Sequence, residues 1–317
     1  MIRDNRFDNI KALLIFLVVF GHAIEYLFGT KGAYGAVRAL IYSFHMPAFV
    51  FISGYFAQKS KSSLPDVTVK YLSTYLIFNT LFALSPWHVN SPQNFLYPQL
   101  IYWYLLCMCF WRISAPTIAK IRFAIPLSIL FTLYIGTCKS ADRFMSISRA
   151  ICFFTFYLIG YKFSLKWLEK INKWILRIAL FACFMLTLLV YYKGLIPVKM
   201  YEYIQSYAST EVADFDGIVM RVFMMLVALV ITISLIGLMP SKKYGFTVLG
   251  RNSLCIYLLH IYIIKAISSL NIISLGNSLM NIAFCFILSV FICLFLSIPA
   301  ISGIYDKVSN RLVRAFV

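Results

Sequence analysis

Long apolar runs separated by short polar segments are the dominant pattern of the chain. Each run is close to the roughly 20 residues that an α-helix needs to cross the hydrocarbon core of a bilayer. The runs cover residues 10–28, 34–57, 67–86, 96–111, 121–137, 144–163, 174–192, 217–239, 246–268 and 279–304. The pattern predicts an all-α, polytopic integral membrane bundle of about ten transmembrane helices, forming one domain over residues 1–317.

Composition excludes a water-soluble globule. Hydrophobic residues make up 62% of the chain and charged residues 13%, against roughly 25% charged residues in an ordinary soluble domain. The eight cysteines are scattered and include no CxxC pair. We interpret them as packing residues and expect neither a metal site nor a bound cofactor.

The basic residues predict the topology. The net charge of +18 suggests a nucleic-acid partner at first sight, but the cations lie in short clusters between the apolar runs, so we expect no nucleic acid. Most of the 29 lie at the N-terminus, in the even-numbered loops and in the C-terminal tail, including Arg3 and Lys61. The odd-numbered loops hold only Lys31, Lys139, Arg143, Lys193 and Lys199. Both termini are therefore expected in the cytoplasm.

Several ionisable side chains interrupt the apolar runs at a similar depth. Counted from the cytoplasmic ends at the helical rise of 1.5 Å per residue, His22 and His45 lie roughly 18 Å into the membrane, Arg149 roughly 20 Å and His260 roughly 21 Å. Glu25 is one turn beyond His22. Ionisable groups are costly in lipid and usually functional, so the coincidence predicts a polar site just outside the midplane.

Short polar sequences add candidates near these side chains. In "YSFHMPAFVFISGYF" (42–56), Pro47 can bend the second span, and Ser53-Gly54-Tyr55 follows, where glycine allows either a second helix or a ligand close to the backbone. In "LGRNSLCIYLLH" (249–260), Arg251 and Asn252 stand near the cytoplasmic end. Asn252 is equally interpretable as the cap of a helix.

Four of these sequences carry a resemblance to a known family. The stretch "RFDNIKALLIFLVVFGH", with Lys11 eleven positions before His22, resembles the basic-x10-His signature of the membrane acyltransferase-3 family. With "FHMPAFVFISGYF", "RAICFFTFYLIGY" and "NSLCIYLLH", it resembles in particular the fucose 4-O-acetylase-like branch among bacterial polysaccharide O-acyltransferases. Thr155 stands where that branch is expected to have proline.

The resemblance implies a multi-pass O-acetyltransferase of the bacterial cytoplasmic membrane. Its acyl donor would be cytoplasmic acetyl-CoA or another acyl-CoA. Its acceptor would be a hydroxyl of a cell-surface polysaccharide, such as an exopolysaccharide, or of its lipid-linked precursor. The enzyme would act alone or with other polysaccharide-assembly proteins.

The chemistry of such a transfer suggests a role for each candidate. His22 would be the base that removes the hydroxyl proton, or a residue that takes the acyl group itself, and Glu25 would orient its imidazole. Arg149 or His45 would stabilise the oxyanion of the thioester. The remaining candidates would bind substrate or the phosphates of acyl-CoA. They are Lys11, Ser53, Gly54, Tyr55, Lys162, Arg251, Asn252 and His260.

Two other classes of protein stay open at this stage. Midplane Arg, His and Glu also build substrate sites in carriers, so a transporter or flippase for a glycan or small solute is the main alternative. A non-catalytic membrane subunit of a polysaccharide-assembly complex is the third.

The topology predicts which loops an external reagent reaches. In a cysteine-free background, Lys170→Cys and Lys242→Cys should be protected in intact cells from a membrane-impermeant maleimide, whereas Lys31→Cys and Gln205→Cys should react, because the first pair lies in cytoplasmic loops. Labelling of the cysteine at position 170 from outside would invert the topology.

Overall fold

Helices form over most of the apolar sequence. The computed structural model describes residues 4–60, 63–89, 95–139, 144–270 and 276–316, and Arg3, Lys61 and Arg143, used above for the topology, lie outside them. The α-helices of the described residues are α1 (Arg6–Phe28), α2 (Gly32–Tyr42), α3 (His45–Lys59), α4 (Leu64–Ala83), α5 (Trp103–Ile118), α6 (Ala124–Ile135), α7 (Ile147–Lys162), α8 (Lys166–Glu169), α9 (Lys173–Tyr192), α10 (Asp214–Leu238), α11 (Thr247–Arg251), α12 (Ser253–Ser269), α13 (Ser278–Leu296) and α14 (Pro299–Phe316). Short 3₁₀ segments lie at Phe144–Ser146, Val198–Glu202 and Ala208–Thr210.

Length and hydropathy confirm a polytopic helical membrane protein. The helical stretches long and apolar enough to cross a bilayer are Arg6–Phe28, Gly32–Lys59, Phe144–Lys162, Lys173–Tyr192, Asp214–Leu238 and Ser278–Leu296. The helices Ala124–Ile135 and Ser253–Ser269 are apolar but shorter. Helices α4 and α5 occupy the other two expected runs, and the count of ten spans stays a prediction.

Two expected runs are each divided into two helices, which hydropathy does not register. The run 34–57 is interrupted after Tyr42, and α3 begins at His45. Pro47 lies in the first turn of α3, where its missing N–H costs no helical hydrogen bond. The run 246–268 is interrupted at Asn252, which separates α11 from α12.

Two other expected runs have the wrong boundaries. The run 96–111 becomes helical only at Trp103, and before it the Gln99 N–H donates to the buried Asn79 side chain at 2.7 Å. That bond satisfies the backbone outside a helix. The run 279–304 ends as a helix at Leu296, and Pro299 begins α14.

The chain groups into two compact units. The first unit comprises Met1–Phe49, Ser164–Val198 and Leu226–Tyr305, and the second comprises Val50–Phe163, Lys199–Met225 and Asp306–Val317. The single domain expected over residues 1–317 stays a prediction. Each unit is described by itself.

Helix α1 is the centre of the first unit. It packs against α2, α11, α12 and α13, and α2 in turn packs against α9. At the start of α1, the fully buried Asn9 amide donates to the Pro240 and Lys242 carbonyls, both at 2.9 Å. Its oxygen accepts the Thr247 hydroxyl at 2.6 Å. These bonds fix the first turns of α1 to the segment that leads into α11.

Close helix packing is also visible in the second unit. There α5 packs against α4 and α7, and α6 against α7. A Cβ added at Gly54 of α3 would collide with the Tyr157 carbonyl of α7, and one added at Gly160 of α7 would collide with the Phe51 carbonyl of α3. Of the two neighbours that the sequence allowed for Gly54, the structure therefore has a helix.

The paired glycines predict a local loss of stability. Gly160→Ala should lower the thermal midpoint of the detergent-solubilised protein, because overpacking against backbone costs about 1–3 kcal/mol. Gly303→Ala is the matched control, since a Cβ at that helical glycine meets nothing within 4 Å. Equal midpoints for the two variants would show that the α3–α7 contact adds little to stability.

Candidate active site

Two histidines from different helices meet in the first unit. His22 of α1 and His260 of α12 lie with ring centroids 5.2 Å apart and an interplanar angle of 9°. The Nδ1 atom of His22 is 2.9 Å from the Nε2 atom of His260. His260 is fully buried and His22 is only partly buried. His22 is therefore the accessible member of the pair.

The backbone of α12 determines the protons of this pair. The Nδ1 atom of His260 lies 3.0 Å from the Ile256 carbonyl oxygen. A carbonyl can only accept a hydrogen bond, so neutral His260 carries its proton on Nδ1 and presents an unprotonated Nε2. His22 must then donate its Nδ1–H to that nitrogen. Neutral His22 consequently keeps the lone pair of its own Nε2, which is the form of a general base.

Glu25 faces α2. Its Oε2 atom accepts the Tyr42 hydroxyl at 2.7 Å and Arg38 Nε at 3.3 Å. Glu25 was expected to orient the imidazole of His22. The Nδ1 atom of that imidazole bonds instead to His260. His260, expected to bind substrate, thus occupies the place of the orienting group of a catalytic triad.

His45 lies beside this cluster. Its Nδ1 atom donates to the Ile41 carbonyl at 2.8 Å, and its ring centroid is 4.9 Å from that of Tyr42. His45 is 4% exposed. The histidine and carboxylate candidates therefore lie in one neighbourhood formed by α1, α2, α3 and α12. They are His22, Glu25, His45 and His260.

The candidates at the start of α1 form a second, charged group in the same unit. Asp8 binds Lys11 Nζ at 2.9 Å through Oδ1 and faces Arg251 Nε at 3.5 Å through Oδ2. Arg251 also donates to the Asn5 side chain at 2.9 Å. Two of the three expected phosphate-binding cations, Lys11 and Arg251, are thus brought together by a carboxylate that the sequence did not single out.

Asn252 is a helix boundary in the structure. It is the N-cap residue of α12, but its side chain does not cap that helix. The amide donates to the Ser297 carbonyl at 3.2 Å. It links the start of α12 to the end of α13.

The remaining candidates lie in the second unit. The Ser53 hydroxyl is 2.8 Å from the Tyr104 hydroxyl, and Lys59 donates to the Tyr55 hydroxyl at 2.5 Å. Lys162 is exposed at the end of α7. None of these contacts by itself indicates a binding site.

Arg149 holds the backbone at the end of the 3₁₀ segment Val198–Glu202. Its Nε atom donates to the Glu202 carbonyl at 3.0 Å, and its guanidinium carbon lies 4.5 Å from the centroid of Trp103. The neighbouring Ser148 hydroxyl donates to the Tyr203 carbonyl at 2.8 Å. These contacts account for the planar guanidinium without a role in catalysis, so its assignment to the oxyanion stays a prediction.

Arg221 is a second deeply buried cation of this unit. It is 1% exposed, donates to the Thr132 carbonyl at 3.1 Å and lies 4.6 Å from the centroid of Tyr207. Burial raises the pKa of Tyr207 to about 12, so its hydroxyl stays protonated and donates to the Leu133 carbonyl at 3.0 Å.

The sequence of this protein matches a known family. A family model described as an acyltransferase domain matches residues 4–298, which include every candidate residue above. The chain belongs to the membrane acyltransferase-3 family. No curated protein and no solved structure matches the acyltransferase significantly.

Among the residues that the structure describes, no group of three or more His, Cys, Asp or Glu is placed to hold a metal ion.

Residues that the sequence did not single out contact the candidate residues in both groups. Arg38 was visible only as one of the cations within an apolar run. Tyr42 gave no signal, because tyrosine is common in membrane spans, and Asp8 was overlooked beside the more numerous cations.

The hydrogen bond from His22 to His260 predicts the effect of removing the buried ring nitrogen. His260→Phe should preserve an aromatic ring at the site but leave the His22 Nδ1–H without its acceptor, so acyl transfer should fall by about 10²-fold. Rates are to be measured in membrane vesicles at equal amounts of folded protein. Wild-type transfer by His260→Phe would contradict the assignment of His260 as the orienting group.

Proposed function

We propose that this acyltransferase transfers an acyl group, most simply acetyl, from acyl-CoA to a hydroxyl of a cell-surface polysaccharide or of its lipid-linked precursor. The observation that carries the proposal is the bond between His22 and His260. It supports a base at His22 Nε2 in a protein whose family is that of acyltransferases.

The reaction requires one group that removes a proton from the acceptor hydroxyl and then passes it to the departing thiolate. The Nε2 atom of His22 removes the proton of the acceptor hydroxyl while the hydroxyl oxygen attacks the thioester carbonyl carbon. The new C–O bond forms, the C–S bond breaks, and the proton passes from His22 to the departing CoA thiolate. The products are the acyl ester and CoA–SH.

His260 supports this step without contacting substrate. When His22 becomes an imidazolium, its Nδ1–H continues to donate to the unprotonated Nε2 of His260, so the ring does not reorient during the reaction. The carbonyl of Ile256 keeps the proton of His260 on the opposite nitrogen. A preorganised hydrogen bond of this kind costs no reorganisation when charge develops.

The donor would be bound at the start of α1. The cations Lys11 and Arg251 lie on the same carboxylate, Asp8, and phosphate groups compete well for paired cations of this type. This end of α1 would be cytoplasmic in the predicted topology. Donor and acceptor would therefore approach His22 from opposite faces of the membrane. That membrane would be the cytoplasmic membrane of the cell.

The main alternative is a carrier that moves a glycan or small solute unchanged. Intramembrane His, Glu and Arg residues are also found in proton relays. The polarised His22–His260 pair favours a base with a defined lone pair, and the family match favours transfer chemistry. A carrier would release neither CoA nor an acylated glycan.

The test uses inside-out vesicles that contain the full-length protein and the glycans of the producing membrane. With radiolabelled acetyl-CoA, the wild type should place label in the extracted glycan fraction and release CoA in equal amount. His22→Ala should lower this transfer by about 10²–10⁴-fold, the usual loss for a missing general base. His22→Gln keeps hydrogen-bonding capacity but cannot take up a proton, so it should be equally impaired.

Near-normal transfer by His22→Gln would contradict the catalytic assignment and indicate that His22 only packs. Export of unlabelled glycan that depends on the protein, without any acetyl transfer, would favour the carrier. Mass analysis of the labelled glycan would identify the acceptor.

A further inference from the structure

Glu25 and Arg38 form an ion pair inside a bundle of membrane-spanning helices. Their contact is 3.3 Å, and the side chains of Arg38 and Glu25 are 4% and 24% exposed. Burying two charges is expensive even when they are paired, and apolar side chains of similar size often replace such a pair without loss of stability. The pair therefore calls for a purpose other than holding α1 to α2.

The ion pair holds the ring of Tyr42 from two directions. The Tyr42 hydroxyl donates to Glu25 Oε2 at 2.7 Å, the same oxygen that binds Arg38. The guanidinium carbon of Arg38 lies 4.5 Å from the centroid of the Tyr42 ring. One side chain of α1 and one of α2 thus fix both the hydroxyl and the face of this ring.

Space for the ring is provided by the residue that precedes His22. A Cβ added at Gly21 would lie 3.2 Å from Tyr42 Cε2, closer than ordinary van der Waals contact. The absence of a side chain at Gly21 therefore lets the ring reach its position beside α1.

The held ring lies against two imidazoles. Its centroid is 6.4 Å from that of His22, with the planes at 83°, and 4.9 Å from that of His45. The edge-to-face arrangement with His22 restricts the rotation of the imidazole. His22 is thus held by a hydrogen bond to His260 on its Nδ1 side and by an aromatic contact with Tyr42.

We propose that Glu25, Arg38 and Tyr42 are positioning residues for the transfer reaction, which act through the ring of Tyr42 on the imidazole of His22. The proposal rests on the proposed function of His22 as the base. It gives Glu25 a role different from that of the carboxylate of a catalytic triad: Glu25 holds Tyr42, and His260 holds His22. It also makes Gly21 a determinant of the site through the space it leaves.

The first experiment compares hydroxyl removal at two tyrosines of α2. In vesicles with labelled acetyl-CoA, Tyr42→Phe should lower kcat by about 10-fold or more and leave the KM for acetyl-CoA unchanged, because a mispositioned base affects the chemical step. The matched control is Tyr34→Phe in the same helix. It removes the Tyr34 hydroxyl, which accepts a 2.8 Å hydrogen bond from the Asn281 amide. The control should transfer acetyl at the wild-type rate.

Three further variants, at Glu25 and Gly21, disturb the ring by other means. Glu25→Gln retains an oxygen that accepts the Tyr42 hydroxyl but weakens the contact with Arg38, so it should lose less activity than Glu25→Ala. Gly21→Ala changes no polar group but displaces the Tyr42 ring, and it should reproduce the kcat loss of Tyr42→Phe. It provides an independent test if the tyrosine variant does not fold.

The decisive experiment is a double-mutant cycle with His22. If Tyr42 acts through His22, then Tyr42→Phe should have no further effect on the residual rate of His22→Ala, because the group being positioned is already gone. Equal fold-losses in the wild-type and His22→Ala backgrounds would overturn the proposal, as would a raised KM for acetyl-CoA or an equal loss in Tyr34→Phe. Full activity of His22→Ala would overturn the proposed function itself and this proposal with it.

Discussion

The site depends on a single constraint, the buried Nδ1–H of His260. In a helix surrounded by apolar side chains, this group has the carbonyl of Ile256 as its acceptor, and an unpaired buried donor would be costly. Once that bond forms, the other nitrogen of His260 has only a lone pair to offer. The direction of the hydrogen bond to His22, and the position of the lone pair on His22, follow from it.

The rest of the first unit maintains this arrangement. Helix α1 carries His22 and is fixed at its start by the bonds of the buried Asn9 to the segment before α11. Gly250 of α11 adds a close contact, since a Cβ there would collide with the Asp8 carbonyl. The depth of His22 relative to His260 is thereby set by polar contacts at the helix start, where Lys11 and Arg251 also lie.

The sequence predicts which segments are helical better than it predicts which side chains are in contact. Apolar runs and the helical rise placed His22 and His260 at one depth, and the structure joins them by a hydrogen bond. Equal depth did not indicate which residues would be partners. Glu25 is one helical turn from His22, yet its carboxylate turns to α2, because Arg38 and Tyr42 offer stronger partners than a neutral imidazole.

The failures of sequence reasoning have local physical causes. Hydropathy averages over residues and does not register the backbone breaks before His45 and at Asn252. It also misplaced the start of α5, because the apolar residues before Trp103 satisfy their backbone outside a helix, as in the bond from Gln99 to Asn79. Tyr42 has no charge that would mark it within an apolar run, so only the fold reveals its contacts.

The tautomer of His22 is the most direct test of this account. Solid-state ¹⁵N NMR of the histidine-labelled full-length protein in bilayers distinguishes a protonated from an unprotonated ring nitrogen, and His22→Gln and His260→Gln samples would assign the signals. Neutral His22 should carry its proton on Nδ1, with coupling across the bond to His260 Nε2, and its own Nε2 should be unprotonated. A neutral His22 protonated on Nε2, with His260 donating to its Nδ1, would contradict it.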